Sequence, residues 1–284
     1  MIQIKDLTFG YTKSKPLFSQ MNLSVEGGNI YGLLGKNGAG KTTLLKLAAG
    51  LLFPEKGTVS VLGSEAGKRK VSALSGMYYL PEEIYLPRMS GKSYTKIFSP
   101  FYPGFSTEQY NRSLEEFELD EGETLTEMSY GQKKKFLLTF GMATNCTLML
   151  FDEPTNGLDI PAKSKFRKLL ASNLTDDASY IISTHQVRDV ENLIDPVIIL
   201  HNRKIVFQKN SFQIAQRLSV KLYKEQPAEG VLHAEKVLGG YAVLGERTDE
   251  EESHVDIELL FNAVIKNPHS VNRLFSKEAQ NAAK

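Results

Sequence analysis

Cysteine is nearly absent from this 284-residue chain. A single thiol, Cys146, excludes an internal disulfide framework and fits a reducing compartment. It lies just before an apolar run, where a small thiol serves as core filling rather than as a nucleophile. An excess of one charge is also missing. The 34 basic and 33 acidic side chains leave a formal net charge of +1, which gives no bulk attraction to nucleic acid or to an anionic membrane. No stretch approaches the ~20 apolar residues that a membrane helix needs. The opening Met-Ile-Gln-Ile-Lys-Asp lacks the apolar core of a signal peptide. The expectation is a chain that does not span a membrane by itself. Sustained heptads and internal repeats are missing too. What remains is the balance of an ordinary soluble protein, 41% hydrophobic and 24% charged, long enough for one large domain or two small ones. Two basic runs, Lys68-Arg69-Lys70 and Lys133-Lys134-Lys135, read as solvated surface.

Against that plain background stands Gly35-Lys36-Asn37-Gly38-Ala39-Gly40-Lys41-Thr42, a complete G-x-x-x-x-G-K-[ST] loop followed by Thr43. It sits between an apolar run (Ile30, Tyr31, Leu33, Leu34) and a helix-like stretch (Leu44, Leu45, Leu47, Ala48). Glycines let backbone N–H groups turn inward around phosphates, and the next helix points its positive end at the same anion. Lys41 is placed to reach the β- and γ-phosphates, and the Thr42 hydroxyl to ligate Mg²⁺.

Short alternating runs, Ile2 to Phe9 and Phe18 to Val25, predict strands before the loop, and Thr58 to Leu62 and Gly76 to Leu80 predict strands after it. From about residue 87 to 146 aromatic residues recur at helical spacing, which predicts a helical insertion. The continuous apolar run Thr147 to Phe151 fits a strand buried on both faces. Helices are expected over Ala162 to Asn173 and Val187 to Leu193, with strands at Tyr180 to Ser183, Val197 to Leu200 and Lys204 to Gln208. Such alternation implies parallel pairing with right-handed crossovers. Residues 1–215 then form one α/β domain, and 216–284 a small appendage. The appendage has β-like pieces (Val220 to Lys224, Gly230 to Leu238, Tyr241 to Leu244), an acidic turn (Asp249 to Glu252) and an amphipathic segment near Ile257 to Val264.

The run Leu148-Met149-Leu150-Phe151 leads into Asp152-Glu153, which sets two carboxylates at the end of a buried strand. Two adjacent acids beside a phosphate loop imply a division of labour. Asp152 would hold Mg²⁺, and Glu153 would activate a water for in-line attack on the γ-phosphate.

With its context, this succession resembles the ABC-type ATPases over about residues 1 to 215. Asp152-Glu153-Pro154-Thr155-Asn156-Gly157-Leu158-Asp159 is similar to that family's Walker B motif and D-loop, with Asp159 in the latter. Ser129-Tyr130-Gly131-Gln132 resembles the signature written L-S-G-G-Q, and His185 in Ser183-Thr184-His185 resembles the switch histidine. Tyr11 stands where the family places an aromatic that stacks on adenine. The resemblance implies a P-loop NTPase fold with a parallel-sheet RecA-like lobe, an antiparallel β subdomain and an inserted helical subdomain. It further implies that ATP and Mg²⁺ are bound, and that Ser129 acts on the γ-phosphate held by a second copy. Two nucleotides would then be sandwiched in a head-to-tail homodimer or pseudo-dimer. Physically, Ser129 and Gly131 open a helix, whose N-terminal amides attract an anion; Ser is also favoured there simply as a cap.

Two departures from the family pattern stand out. Tyr130 replaces the first signature glycine, and Met128 precedes Ser129 where Leu is usual. In Tyr79-Leu80-Pro81-Glu82 the last place more often holds Gln. Glu82 either senses Mg²⁺ with added charge or has lost that role. The pattern looks most like bacterial exporter-type ATP-binding subunits. It implies a cytoplasmic chain, peripheral on the inner face of the membrane through a separate transmembrane permease, with no nucleic acid as partner. The alternatives are a soluble ABC ATPase acting on ribosomes or nucleic acid, and a nucleotide switch without turnover. Intact Lys41, Asp152, Glu153 and His185 argue against the second.

Overall fold

The computed structural model describes residues 1–12, 14–225, 227, 231–248 and 255–276. The acidic run Asp249 to Glu252, and Gly230, lie outside the described residues. The chain opens with β1 (Ile2–Phe9), β2 (Phe18–Val25) and β3 (Ile30–Leu34). Then come α1 (Lys41–Ala48), β4 (Lys56–Val61), β5 (Ser64–Glu65), α2 (Val71–Leu74) and β6 (Met77–Leu80). Three helices follow, α3 (Gly91–Phe98), α4 (Thr107–Phe117) and α5 (Tyr130–Ala143). Alternation resumes with β7 (Leu148–Asp152), α6 (Ile160–Asn173), β8 (Ser179–Thr184), β9 (Val197–His201) and β10 (Lys204–Lys209). The C-terminal part is α7 (Ser211–Arg217), β11 (Leu218–Tyr223), β12 (His233–Val237), β13 (Gly240–Glu246), α8 (Ile257–Lys266) and α9 (Pro268–Ser276).

The described residues form three sheets. The central one has the order β10-β9-β3-β8-β7-β6, parallel except for the β10 edge. A second, β2-β1-β4-β5, is antiparallel, as is the small β11-β13-β12 sheet. The central strands are buried on both faces because alternate side chains enter different cores. Leu148, Leu150, Ile181 and Ile198 pack with α1 and the antiparallel sheet. Met149, Phe151, Ile182 and Ile199 pack on the other face with α5, α6 and α8. That alternation is why β7 reads as an unbroken apolar run.

The segment between β6 and β7 is held by aromatic packing. The Phe140 ring on α5 meets Tyr94, Tyr102 and Phe105 at centroid distances of 5.3, 6.0 and 5.4 Å. Helix starts are fixed by side-chain caps. Ser90, Ser106, Ser129, Asp159, Asn210 and Asp256 each accept a hydrogen bond from the amide three residues on, worth about 1 kcal/mol apiece. The C-terminal helices close over the outer face of the central sheet, with Phe207 and Phe275 edge to face at 5.4 Å.

Two sequence expectations need correction. Val187 to Leu193 is not a helix, since only a single 3₁₀ turn spans Val187–Asp189. Val187, Val190 and Ile194 are indeed buried at helical spacing. However, the Asp189 carbonyl accepts from Arg167 of α6, and its carboxylate pairs with Lys163 at 2.7 Å. Tertiary bonds thus replace helix propagation there. Secondly, the run Lys133 to Lys135 is not all solvated. Lys134 is fully buried, because 100° steps around α5 cannot keep three successive side chains outside a packed helix. Lys68, Arg69 and Lys70 are exposed as expected.

Candidate functional site

The centre of the sheet delivers the phosphate loop. β3, flanked by β8 and β9, ends at Leu34, and the chain turns at once into α1. Gly40 caps α1 with φ +109°, a conformation L side chains rarely adopt, and a Cβ there would meet the Phe18 ring at 2.8 Å. Only glycine fits. Lys41 folds back, its Nζ donating to the Gly35 carbonyl at 2.8 Å and lying 3.2 Å from Glu153 Oε1. A cleft of about 390 Å³ opens over the loop, lined by Lys36 to Thr43 together with Tyr11, Leu17, Glu82, Glu153 and His185.

β7 pairs with β8 so that Asp152 sits opposite Ser183. Ser183 Oγ donates to Asp152 Oδ1, and the carboxylate is fully buried. Beside it the Tyr79 phenol is held well above its usual range, first by burial and then by the Asp152 charge. Glu153 turns off the strand with φ +47°, left-handed for a non-glycine residue, a strain of about 1–3 kcal/mol that surrounding bonds must hold. Its amide donates to the Ser183 carbonyl at 3.1 Å and to Ser183 Oγ at 3.2 Å. Its Oε1 is shared by Lys41 and by His185 Nδ1, the latter at 2.9 Å.

Two carboxylate oxygens, Asp152 Oδ2 and Glu153 Oε2, are buried without a hydrogen-bond partner. Unpaired buried acceptors each cost about 1–3 kcal/mol. A hard cation relieves that cost, and a carboxylate with a hydroxyl such as that of Thr42, which lines the cleft, is a Mg²⁺-type donor set. Among the described residues no group of three acidic, His or Cys side chains forms a self-sufficient metal site. Such an ion would therefore share oxygens of the bound nucleotide. The residues present fit Mg²⁺.

Other residues singled out from the sequence are distributed in two ways. Tyr11 is brought to the cleft lip, about two thirds exposed, its hydroxyl bonded to Thr43 Oγ1 at 3.0 Å and its ring edge-on to Phe9. The signature residues are not brought to this cleft. Ser129, Tyr130, Gly131 and Gln132 are absent from its lining. Ser129 caps α5 in a reciprocal box with Gln132, whose Oε1 accepts from the Ser129 amide at 2.8 Å. Tyr130 donates its hydroxyl to the Glu82 carbonyl at 2.8 Å. Its ring lies over Gly157, where φ is +79° and a Cβ would come within 2.5 Å of it. Asp159 caps α6. Sequence reasoning missed Lys134, Tyr79 and Ser183. For Lys134 the one available signal was its spacing of four from Tyr130, which puts both on one helix face.

A phosphate loop on a central parallel sheet, sharing its cleft with the strand-end carboxylate of Glu153 and a histidine, with Asp152 buried beside Glu153 in sequence, defines a P-loop nucleotide hydrolase. Residues 18–156 match the ABC transporter family model. The chain is 28% identical over 207 residues to the ABC transporter ATP-binding protein YtrB of Bacillus subtilis, covering 72% of this chain and 70% of YtrB. It is 29% identical over 212 residues to the SkfA peptide export ATP-binding protein SkfE of the same organism, covering 72% and 87%. A solved ATP-binding subunit of an ABC transporter superposes with a TM-score of 0.69 at 27% identity, covering 75% of this chain and 91% of that one. Residues 18–156 thus carry an ABC transporter domain, and the chain is an ATPase of that type, similar to ABC transporter ATP-binding proteins. No helix among its described residues is long and apolar enough to cross a membrane.

Proposed function

We propose that this chain, as an ATP-bound head-to-tail dimer, drives export through a separate transmembrane permease at the cytoplasmic face of the membrane. The observation that carries the reading is the division of the site. The phosphate loop, Glu153 and His185 share one cleft, while the N-terminus of α5 at Ser129 lies outside it. A second copy supplying that helix end completes each site. Residues 1–215 act as the nucleotide domain and 216–284 as an appended module, a division supported by the separate ladder of β11, β12 and β13.

In the cleft, Tyr11 stacks on adenine, and the amides of Gly35 to Thr43 and the Lys41 ammonium hold the phosphates. Thr42 and Asp152 would hold Mg²⁺, with Glu82 at the lip as a further ligand; bound there, the ion neutralises charge on the phosphate oxygens. Nucleotide draws Lys41 from Glu153 Oε1 onto phosphate, which frees that oxygen to take a proton from the attacking water. His185 keeps its hold on Glu153 and orients it. Asp159 fixes the start of α6 beside the partner's approach. The permease is a separate polypeptide that selects the substrate, and export is supported by relatives such as SkfE, named for peptide export.

Lys41→Ala is expected to weaken ATP binding by about ten- to hundredfold, since a charge-assisted hydrogen bond is worth about 1.5–3 kcal/mol. Titration with a fluorescent ATP analogue reads this directly, and near-normal affinity would overturn the assignment of the loop. Transport is tested by affinity capture from solubilised membranes, with the Glu153→Gln chain held by ATP and Mg²⁺ as bait. A multi-helix membrane protein in stoichiometric amount is expected. Ribosomal subunits or nucleic acid instead would replace the transporter reading with the soluble one.

A further inference from the structure

Lys134 lies one turn beyond Tyr130 on the inner side of α5 and is fully buried. Its Nζ donates to the main-chain carbonyl of Glu153 at 3.2 Å and to that of Glu82 at 3.5 Å, and stands 5.6 Å from the Tyr130 ring centre. The Tyr130 hydroxyl reaches the same Glu82 carbonyl. Burial lowers the ammonium pKa to about 8, against the charges of Glu82, Asp152 and Glu153, which raise it. Burying a charge costs far more than filling the space with a carbon chain of equal length. An ammonium kept there, bonded to two carbonyls of the nucleotide site, does more than fill space.

With Lys134 included, every polar main-chain and side-chain bond of Glu153 is traced. Ser183 accepts from its amide, Lys41 and His185 share Oε1, and both Lys134 and the Asn156 amide donate to its carbonyl. Lys41 and His185 line the cleft, and Ser183 is fully buried on β8. Lys134 alone belongs to α5, whose N-terminal Ser129 is not among the residues lining the cleft. We infer that Lys134 is a positioning residue joining the two composite sites of the dimer, tying Glu153 and Glu82 of one site to the helix that engages the nucleotide of the other. This rests on the roles given above to Ser129 and Glu153. A rigid helix carries a displacement at its first turn to Lys134 in its second. There it meets a Glu153 backbone already held in a strained conformation, so a small shift redirects the carboxylate. Tyr130, in place of the usual signature glycine, adds a second tie from the same helix to the same loop.

The test compares the full-length wild type with Lys134→Met, Lys134→Arg, Tyr130→Phe and Glu153→Gln. Affinity for a fluorescent ATP analogue is measured first, then turnover as a function of ATP concentration. Lys134→Met is expected to keep affinity within about twofold, to lose about ten- to hundredfold in kcat, and to lower the Hill coefficient toward one. Lys134→Arg restores part of both. A merely structural role lowers the binding stoichiometry and the apparent kcat together through the fraction of folded protein and leaves the Hill coefficient alone, so kcat is counted per ATP-binding site. Wild-type kcat and cooperativity in Lys134→Met overturn the inference, while an inactive Glu153→Gln shows that the base assignment still stands. An active Glu153→Gln instead overturns that assignment itself. If Lys134→Met does not fold, Tyr130→Phe, which removes one exposed hydroxyl, carries the test: reduced cooperativity supports the tie and wild-type cooperativity refutes it.

Discussion

Glu153→Gln retains ATP, loses about 10²- to 10⁴-fold in hydrolysis and accumulates as an ATP-bound dimer; that is the expected result, and its size follows from what the substitution spares. General-base catalysis contributes about that factor. The amide has nearly the shape of the carboxylate, so its oxygen still accepts from His185, now 2.9 Å from Oε1, while Lys41 turns to the phosphates as in the wild type. The main-chain bonds to Ser183 and Lys134 do not involve the altered atoms. The φ of +47° is therefore kept, and the phosphate loop with its bound nucleotide is undisturbed. What is lost is an oxygen able to take a proton from water. Binding energy that closes the dimer is then not released by product formation, so the closed form persists. Phosphate release gives the rate, and sedimentation with ATP and Mg²⁺ against ADP gives the assembly. Turnover equal to wild type would show that another group is the base.

The parts legible from sequence are those fixed by local pattern. Gly35 to Thr42 declares its own geometry, because the glycines and the flanking apolar run belong to neighbouring residues. β7 declares itself through an apolar run that both cores require. The two carboxylates at its end follow from position alone. The parts not legible depend on contacts far apart in the chain. The Val187 segment carries the apolar spacing of a helix, yet Lys163 and Arg167 of α6 bind Asp189 and leave a single turn. Lys134 lies in a run of three lysines that looks solvated, and only the docking of α5 decides which one is buried. Tyr130 looks like a loss at a glycine position. Its hydroxyl instead finds the Glu82 carbonyl, and its ring finds space that Gly157 leaves open, residues distant from it in sequence.

Ser129→Arg is expected to abolish ATP-dependent dimerisation while leaving the nucleotide affinity of the single chain within about twofold of wild type, a separation that the two-part site requires. Ser129 is exposed and absent from the cleft lining, so nothing the single chain uses to hold ATP is changed. Within the chain the substitution removes one cap of α5, about 1 kcal/mol, and the helix remains anchored by its buried face of Phe136, Leu137 and Phe140. The fold survives. At the proposed interface the consequence is larger, since there the helix end would come within hydrogen-bond distance of the phosphate on a second copy, and a guanidinium on its stem fills that gap. Arginine also makes the test discriminating. Its positive charge favours attraction to phosphate, so a dimer held by electrostatics alone would be kept or strengthened, whereas one held by close approach of the α5 amides would be lost. Ser129→Ala, which removes the hydroxyl without bulk, is expected to weaken the dimer by a lesser amount. Sedimentation in the Glu153→Gln background, where the closed form accumulates, reads both variants. A full dimer population with Ser129→Arg would place the γ-phosphate contact of the second copy somewhere other than the start of α5.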